Sequence, residues 1–313
     1  MEEQMTNGGV AGRNDVASLE AELDALEVEL GGALDPRFGS GAEPAARLGV
    51  VAFPLDECGT AAAVARRATE QFTAASTIKV YILHALLEAV AAGERDLDEP
   101  VRLTKTDQVT GSGVLKTMTP GTGYTLRDVA NLMIVVSDNT ATNLLIELLT
   151  PERVNHLATA RGWEGTYLRG KLQVAATPGA GPVTPSRTTP RDLADHFARL
   201  WRGELLPPEL TDVAKRIYGA QQFTELGRAL DYDQYSAEVG ESDILIASKS
   251  GSVRGVRNDA GVFTLGALGD DPRQYVVAVM TDGCPDRRFH PENLGARVVG
   301  KVAATVLGHL SAG

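Results

Sequence analysis

The chain has 313 residues, of which 43% are hydrophobic and 23% are charged. This apolar content is too high for a wholly disordered chain, and no apolar run reaches the roughly 20 residues that a membrane-spanning helix needs. With 41 acidic against 30 basic residues the formal net charge is −11, which argues against nucleic acid and anionic membranes as partners, because both attract basic surfaces.

The first residues predict a flexible tail over residues 1–14. A secretory signal needs a basic start followed by an apolar stretch, and this segment has neither. The sequence therefore predicts a cytoplasmic protein, or a periplasmic or secreted one whose leader has been removed. Cys58 and Cys284 are too few for a disulfide framework and are interpreted as packed thiols. The five histidines lie singly in the sequence without the spacing of metal ligands, so structural or solvent roles and no metal are expected.

Apolar residues at helical spacing predict an amphipathic helix over residues 16–30, which Gly31-Gly32 ends. Two strands are predicted at 48–53 and 61–67, followed by a mainly helical stretch at 76–206. The C-terminal part predicts three strands and a closing helix, at residues 244–249, 258–265, 274–281 and 293–310.

Strands at both ends of the chain therefore bracket a helical middle. This order predicts a two-lobed α/β (α+β) fold in which both chain ends form one antiparallel sheet lobe (residues 15–67 and 207–313) and an all-helical lobe (68–206) is inserted between them, together one structural domain. Clefts between lobes are preferred ligand sites. The Gly- and Pro-rich stretch 162–190 is a long loop of the kind that is either functional or disordered, and we interpret it as a wall of the cleft.

Ser76 and Lys79 form an S-x-x-K tetrad at the start of the apolar run 80–92. The run is apolar on nearly all sides, as is typical of a buried central helix. Residues three apart share a helix face, so the serine hydroxyl can meet the lysine amine. Burial lowers the pKa of a lysine, which makes it a candidate for the base that a serine nucleophile requires. The alternative is a capping serine with a lysine that reaches solvent.

Ser137, Asp138 and Asn139 follow the predicted helix 126–136 and precede another that begins near Thr140. The Ser137 hydroxyl can pass on a proton, and the Asn139 amide can donate to a substrate carbonyl while holding a lysine. For Asp138, an N-terminal cap of the next helix is an equally good interpretation.

Lys249, Ser250 and Gly251 follow at the end of the strand that begins at residue 244. A cation and a hydroxyl at a strand end suit a substrate that carries a carboxylate, and glycine there lets a ligand approach the backbone. The alternative is an exposed edge whose lysine protects against aggregation. Each motif alone is a weak signal, but the three together in this order are far rarer by chance.

In these residues the chain resembles the penicillin-recognising serine hydrolases, specifically the class A β-lactamases and their β-lactamase-like relatives, whose motifs are S-x-x-K, S-D-N and K-T-G. The resemblance spans residues 48–310 and includes Gln71-Phe72 and the segment 140–145, while Ser250 replaces the threonine. It implies the two-lobed fold of that family and a hydrolase of cyclic amides. It further implies a small substrate with a carboxylate, no cofactor and no obligate protein partner.

The resemblance also implies a role for each matching catalytic residue. Ser76 would be the acylated nucleophile and Lys79 its base. Ser137, aided by Lys249, would pass a proton to the leaving nitrogen. The oxyanion hole would consist of the backbone N–H groups of Ser76 and Ser252.

The substrate-binding residues that the resemblance implies are Asn139, Ser250, Gly251, Ser252, Arg254 and Arg257. Asn139 would bind the substrate amide, and Ser250 with an arginine of the neighbouring strand would bind the carboxylate. Arg254 and Arg257 both lie near the position where the family has this arginine.

The long loop departs from the family pattern. Class A β-lactamases carry a glutamate there that activates the deacylating water, whereas the corresponding stretch 168–173 has no acid, and none lies between Glu164 and Asp192. A general base must reach its water within hydrogen-bond distance. We therefore expect slow deacylation, or hydrolysis that uses Lys79 twice. Two alternatives stay open: an esterase or peptidase of the same fold, and a protein that binds β-lactams without hydrolysing them.

Overall fold

The computed structural model describes residues 11–32, 37, 46–56, 64–172 and 185–312. The N-terminal helix begins at Ala11, earlier than the sequence predicts, so that residues 11–14 are helical. The rest of the predicted tail, residues 1–10, lies outside the described residues, as does Cys58. Cys284 is a buried free thiol, as expected.

Both parts of the chain that flank the helical middle contribute strands. The described strands are β1 (Arg47–Pro54), β2 (Val64–Arg66), β3 (Phe72–Thr73), β4 (Pro100–Arg102), β5 (Gly123–Thr125), β6 (Arg187–Thr188), β7 (Ile244–Val253), β8 (Val256–Leu265) and β9 (Arg273–Asp282). Five of them form one antiparallel sheet in the order β2-β1-β9-β8-β7. Two small two-stranded ladders, β3 with β6 and β4 with β5, lie outside it.

The described middle of the chain is mainly helical, as predicted, but the range 68–206 is not all helical, because the short strands β3, β4, β5 and β6 lie within it. The helices are α1 (Ala11–Leu30), α2 (Lys79–Ala91), α3 (Leu126–Val135), α4 (Asn139–Leu149), α5 (Pro151–Ala160), α6 (Pro190–Trp201), α7 (Pro208–Gly219), α8 (Gln234–Glu238) and α9 (Leu294–Ser311). Among these described helices, none is long and apolar enough to cross a membrane.

Apolar cores cover both faces of the sheet. Successive side chains of a strand point to opposite faces, and β1 follows this rule: Val51 and Phe53 pack against the helical middle, while Val50 and Ala52 pack towards α1 and α9. This double burial explains why the central strands are almost continuously apolar. Within the helical core α2 is the central element, because all its residues from Lys79 to Leu87 are buried.

Two of the five histidines meet in a buried aromatic cluster, although the sequence places them far apart. The ring centroids of His84 and His196 are 5.3 Å apart, and Trp163 contacts both rings. His84 is a core side chain, as expected. The ring nitrogens of His196 have no hydrogen-bond partner among the described residues, and burial lowers the pKa of His196 well below its usual value and that of His84 to a lesser degree.

Candidate active site

The nucleophile candidate Ser76 lies in a 3-10 turn, Ala75–Ile78, that runs directly into α2 at Lys79. Ala75 has a φ of 48°, in the left-handed region that non-glycine residues rarely adopt. Asn258 of β8 fixes the start of this turn, since its Nδ2 donates to the carbonyl oxygen of Thr73 at 2.8 Å. The turn therefore presents a half-buried serine from a braced backbone.

Strand β7 packs its backbone directly against this turn. A Cβ atom on Gly251 would lie 2.8 Å from the backbone nitrogen of Thr77 and 3.0 Å from that of Ser76. The absence of a side chain at Gly251 thus allows the Ser76 turn to pack against β7. The sequence suggested that a ligand approaches the backbone at this glycine, but the backbone of the turn lies there instead. The K-S-G motif lies inside β7 and not at its end, because the strand continues to Val253.

Lys79 is fully buried and points to the S-D-N motif. Its Nζ lies 2.7 Å from the carbonyl oxygen of Ser137, 3.0 Å from Asn139 Oδ1 and 3.1 Å from Ser137 Oγ. Among the described residues its Nζ makes no hydrogen bond to the Ser76 hydroxyl, although the backbone N–H of Lys79 donates to the Ser76 carbonyl oxygen. The side-chain hydrogen bond expected from the i, i+3 spacing is therefore absent here. Three acceptors on the S-D-N segment hold the amine instead.

The pKa of Lys79 lies well below its usual value, first because burial penalises the ammonium and second because the charge of Lys249 repels it, while Asp138 opposes the shift. The three acceptors match the three N–H donors of an ammonium, and a neutral amine makes the same contacts when the Ser137 hydroxyl donates to its lone pair. Burial and the charge of Lys249 are therefore what favour the neutral form.

Asp138 is the N-terminal cap of α4, which confirms that interpretation of the motif: its Oδ1 accepts the backbone N–H of Ala141 at 3.0 Å. It does more than cap, because its Oδ2 accepts the N–H groups of Val114 and Leu115 at 2.6 and 2.8 Å. A Cβ on Gly113 would lie only 2.2 Å from the Asp138 carboxyl carbon. The carboxylate thus fixes the 111–115 segment beside the site.

This 111–115 segment also contacts the other two members of the S-D-N motif. Ser112 Oγ donates to the carbonyl oxygen of Ser137 at 2.6 Å, and its own carbonyl accepts the N–H of Asn139 at 3.1 Å. The Asn139 Nδ2 donates to the carbonyl oxygen of Thr110 at 3.3 Å. Sequence reasoning assigned no role to Ser112 and Thr110, because their partners lie about 25 to 30 residues away in the chain.

Lys249 is fully buried, so the alternative of an exposed edge lysine is wrong. Its Nζ donates to the carbonyl oxygen of Ser250 at 2.7 Å. Burial lowers its pKa, and the carboxylate of Asp259 on β8 opposes that shift. Ser250 is also buried and stands opposite Asp259 in the β7–β8 register. Sequence reasoning missed Asp259.

The two candidate arginines lie in different environments. Arg254 is exposed in the turn that joins β7 to β8, whereas Arg257 is 3% exposed and stands opposite Ser252. The Nη1 of Arg257 donates to the carbonyl oxygens of Val253 and Val256, each at 2.7 Å. Its guanidinium is therefore held against the hairpin that carries Ser252.

The described part of the long loop is tied down by two asparagines. Asn143 accepts the N–H of Leu172 at 2.7 Å and donates to its carbonyl oxygen at 2.9 Å, and Asn155 binds the backbone of Leu168 in the same way. Residues 166–172 contain no acid. The rest of the predicted wall, residues 173–184, lies outside the described residues.

Two acids, Glu164 and Asp192, flank this stretch. Glu164 is exposed. Asp192 accepts the hydroxyl of Thr166 at 2.8 Å and lies in the first turn of α6. Burial raises the pKa of Asp192, but its contacts belong to the neck of the loop, where Tyr167 pairs with Arg187.

Comparisons with known proteins agree with this geometry. A model of the β-lactamase enzyme family matches residues 42–310. The β-lactamase of Amycolatopsis lactamdurans is 31% identical over 271 residues, which cover 84% of this chain and 81% of the relative. An ancestral (GNCA) class A β-lactamase is 25% identical with a TM-score of 0.73, covering 93% of this chain and 99% of that structure. A substituted PBP-A, solved as an acyl-enzyme complex with penicillin G, is 26% identical with a TM-score of 0.70. The match covers 93% of this chain and 97% of that structure. The predicted fold and the resemblance to class A β-lactamases are thereby confirmed, and the chain belongs to the β-lactamase enzyme family.

Proposed function

We propose that this enzyme opens the amide bond of a β-lactam through an acyl-enzyme on Ser76, and that the acyl-enzyme is hydrolysed slowly. The observation that carries the proposal is the environment of Lys79, which is fully buried, bonded to Ser137 and Asn139, and placed at the start of the helix that follows the Ser76 turn. Burial and a second cation favour its neutral form. A neutral amine at this place is the base that a serine hydroxyl needs.

In acylation, the Ser76 oxygen attacks the lactam carbonyl carbon and its proton passes to Lys79, directly or through the Ser137 hydroxyl. The C–N bond of the lactam then breaks, and the leaving nitrogen takes a proton from Ser137. Lys79 returns its proton to Ser137, so the enzyme ends with an ester on Ser76 and no net change in charge. The backbone N–H groups of Ser76 and Ser252 stabilise the oxyanion.

Substrate binding uses polar groups around this centre. Asn139 binds the side-chain amide of the substrate, and its Lys79 contact keeps that side chain oriented. The substrate carboxylate binds at Ser250 with Lys249 behind it. Arg257 supports this subsite through the hairpin it braces, while Arg254 in the exposed turn reaches substrate groups outside the cleft.

Deacylation lacks a dedicated base. The loop backbone is held at Leu172 by Asn143, four residues after Asn139 on the same helix, so an apolar side chain stands on the segment that faces the S-D-N helix. With no carboxylate among residues 166–172, water is activated by Lys79 alone. A substituted PBP-A of similar fold was solved as an acyl-enzyme complex with penicillin G, which supports penicillin G as an acylating substrate of this fold.

Intact-mass analysis tests the proposal. Mixing the protein with penicillin G should add the full mass of the drug, because ring opening releases no fragment, and the adduct should persist for many turnover times of an efficient hydrolase. Ser76→Ala should show no adduct, while Ser112→Ala should still acylate. A wild-type protein that stays unmodified and hydrolyses short-chain nitrophenyl esters but not nitrocefin would replace the proposal with the esterase alternative.

A further inference from the structure

A cavity of about 280 Å³ lies against the first residues of β7, outside the acylation site. Its floor is one face of the β7–β8 pair, where Leu245 stands opposite Thr264 and Ala247 opposite Val262. Side chains two residues apart on a strand share a face, so the floor continues along β7 to Lys249. None of the residues assigned above to catalysis or substrate binding, all of which the structure describes, lines the cavity.

Two aromatic side chains line the cavity together with this floor. Trp201 is the last residue of α6, and Tyr232 lies just ahead of α8. The Tyr232 ring packs closely on the backbone of Gly227, where a Cβ atom would lie 2.6 Å from the ring, so this lining is held in place. An apolar floor with aromatic rings beside it suits a small planar molecule.

The two charged residues that line the cavity lie in different surroundings. Lys215 of α7 is partly buried, and its Nζ lies 5.6 Å from the centroid of the Trp201 ring. The same Nζ donates to the Trp201 carbonyl oxygen at 3.0 Å. An ammonium has three N–H donors, and among the described residues this carbonyl is the one acceptor that Lys215 has. Glu238 of α8 is exposed.

This difference decides which charge a ligand should carry. A partly buried charge is screened less by water and salt than an exposed one, so a carboxylate beside Lys215 gains a charge-assisted hydrogen bond. A cationic ligand would compete with Lys215 for the Trp201 ring, and the exposed carboxylate of Glu238 would stabilise it little. The cavity therefore favours an anion.

We propose that this cavity is a second ligand site, for a small aromatic carboxylic acid whose rings lie on Ala247 and Val262 and whose carboxylate binds Lys215. The volume is at the lower end for ligand pockets, which suits a molecule of about ten to fifteen non-hydrogen atoms. The site uses no residue of the proposed acyl transfer, so a protein that is not acylated by β-lactams would still bind the acid.

Titration of nitrogen-15-labelled protein with 2-naphthoate tests the proposal. The chain has two tryptophans. Trp201 lines the cavity, whereas Trp163 lies in the core with its Nε1 donating to Asp195 at 2.7 Å. The indole N–H signal of Trp201, assigned with Trp201→Phe, should move with a Kd on the order of 0.1–1 mM, while the Trp163 signal stays in place.

Two probes of matched shape test the charge of the ligand on the wild-type protein. The neutral 2-naphthamide should bind about 10-fold more weakly than 2-naphthoate, because it loses the charge-assisted hydrogen bond to Lys215. The cation 2-naphthylmethylammonium should bind more weakly still. A Trp201 signal that does not move at roughly tenfold the expected Kd overturns the proposal, and so does tighter binding of the cation than of the acid.

Variants then identify the groups that bind. Lys215→Gln keeps a side chain that can donate to the Trp201 carbonyl oxygen, and it should weaken 2-naphthoate about 10-fold but leave 2-naphthamide unchanged. Glu238→Gln should bind 2-naphthoate at least as tightly as the wild type. Ser250→Ala should bind it with the wild-type Kd, because the carboxylate subsite of the acylation site is not involved. An unchanged Kd in Lys215→Gln, or a loss in Ser250→Ala, overturns the proposal. If a variant does not fold, the three probes on the wild-type protein still decide.

Discussion

Replacing Leu172 by glutamate should turn a slow deacylation into a fast one. The backbone at this position is fixed from both sides, since Asn143 binds the N–H at 2.7 Å and the carbonyl oxygen at 2.9 Å. The substitution therefore changes the side chain without releasing the loop. Leu172 is only partly exposed, so a new carboxylate has room to reach solvent water while burial raises its pKa towards that of a useful base.

A well-placed general base accelerates a reaction by about 10²–10⁴-fold, which corresponds to about 3–5 kcal/mol of activation free energy. Because the new carboxylate has no evolved partners, we expect the lower end, a shortening of the acyl-enzyme half-life by ~100-fold. The acylation rate should change little, since Leu172 makes no described hydrogen bond to Ser76 or Lys79.

The assay follows the mass of the penicillin adduct after excess drug is removed. Leu172→Gln is the matched control, because it has nearly the same size as glutamate but cannot accept a proton at neutral pH, and its adduct should last as long as that of the wild type. Leu172→Glu combined with Asn143→Ala should lose most of the gain, because the loop is then free to move. An equal half-life for the Glu and Gln variants, with acylation intact, would refute the reasoning.

Three further predictions follow from the packing. Gly251→Ala places a Cβ 2.8–3.0 Å from backbone atoms of the Ser76 turn. Because a displacement of about 1 Å can cost ~100-fold in rate, acylation should slow by that order. Gly123→Ala, which has nothing within 4 Å of its Cβ, is the control, and an unchanged acylation rate in Gly251→Ala would contradict the close contact. Asp138→Ala removes a helix cap worth ~1 kcal/mol and leaves two further N–H groups unpaired, so the free energy of unfolding measured in urea should fall by roughly 2–4 kcal/mol. Asp233→Ala, which removes an exposed cap, is the control and should lower it by ~1 kcal/mol. Equal losses in the two variants would mean that the contacts to the 111–115 segment contribute nothing. The pKa of His196 in the fold lies well below that in the unfolded chain, so the unfolded state binds more protons below about pH 6.5. The stability that the neutral ring contributes is complete above that pH and is lost at ~1.4 kcal/mol per pH unit as the pH falls. His196→Phe should therefore flatten the plot of unfolding free energy against pH between pH 6.5 and 5 by that slope, and parallel plots for the two proteins would show that the imidazole is not buried.

Much of the fold follows from the sequence, because periodicity and motif order are local signals. The central strands, the buried helix after Ser76 and the closing helix lie where the apolar patterns predict them. The pattern does not reveal where a motif sits within its element. Ser76 is on a 3-10 turn ahead of α2, and β7 continues past Gly251 to Val253, because the tertiary contact between that glycine and the turn fixes both.

The residues that sequence reasoning missed are those whose partners lie far away in the chain. Ser112 and Thr110 enter the site through Ser137 and Asn139, and two histidines that the sequence treats as isolated meet in the core. For Asp259 a signal exists: Arg257, Asn258 and Asp259 form a polar run within a strand that is buried from Val256 to Phe263. Burying polar side chains costs free energy unless they are hydrogen-bonded or paired. Consecutive polar residues on such a strand therefore indicate a structural or functional role.

Two residues of this site hold a backbone shape that suits glycine better than themselves. Ala75 and Ser137 have φ values of 48° and 53°, in a region where a side chain costs of order 1–2 kcal/mol. Glycine at either position relieves this strain, so Ser137→Gly should melt no earlier than the natural chain while losing the hydroxyl beside Lys79. A library of variants of this enzyme that is screened only for heat resistance is therefore expected to lose the Ser137 hydroxyl early, and with it the proton transfer proposed for that residue.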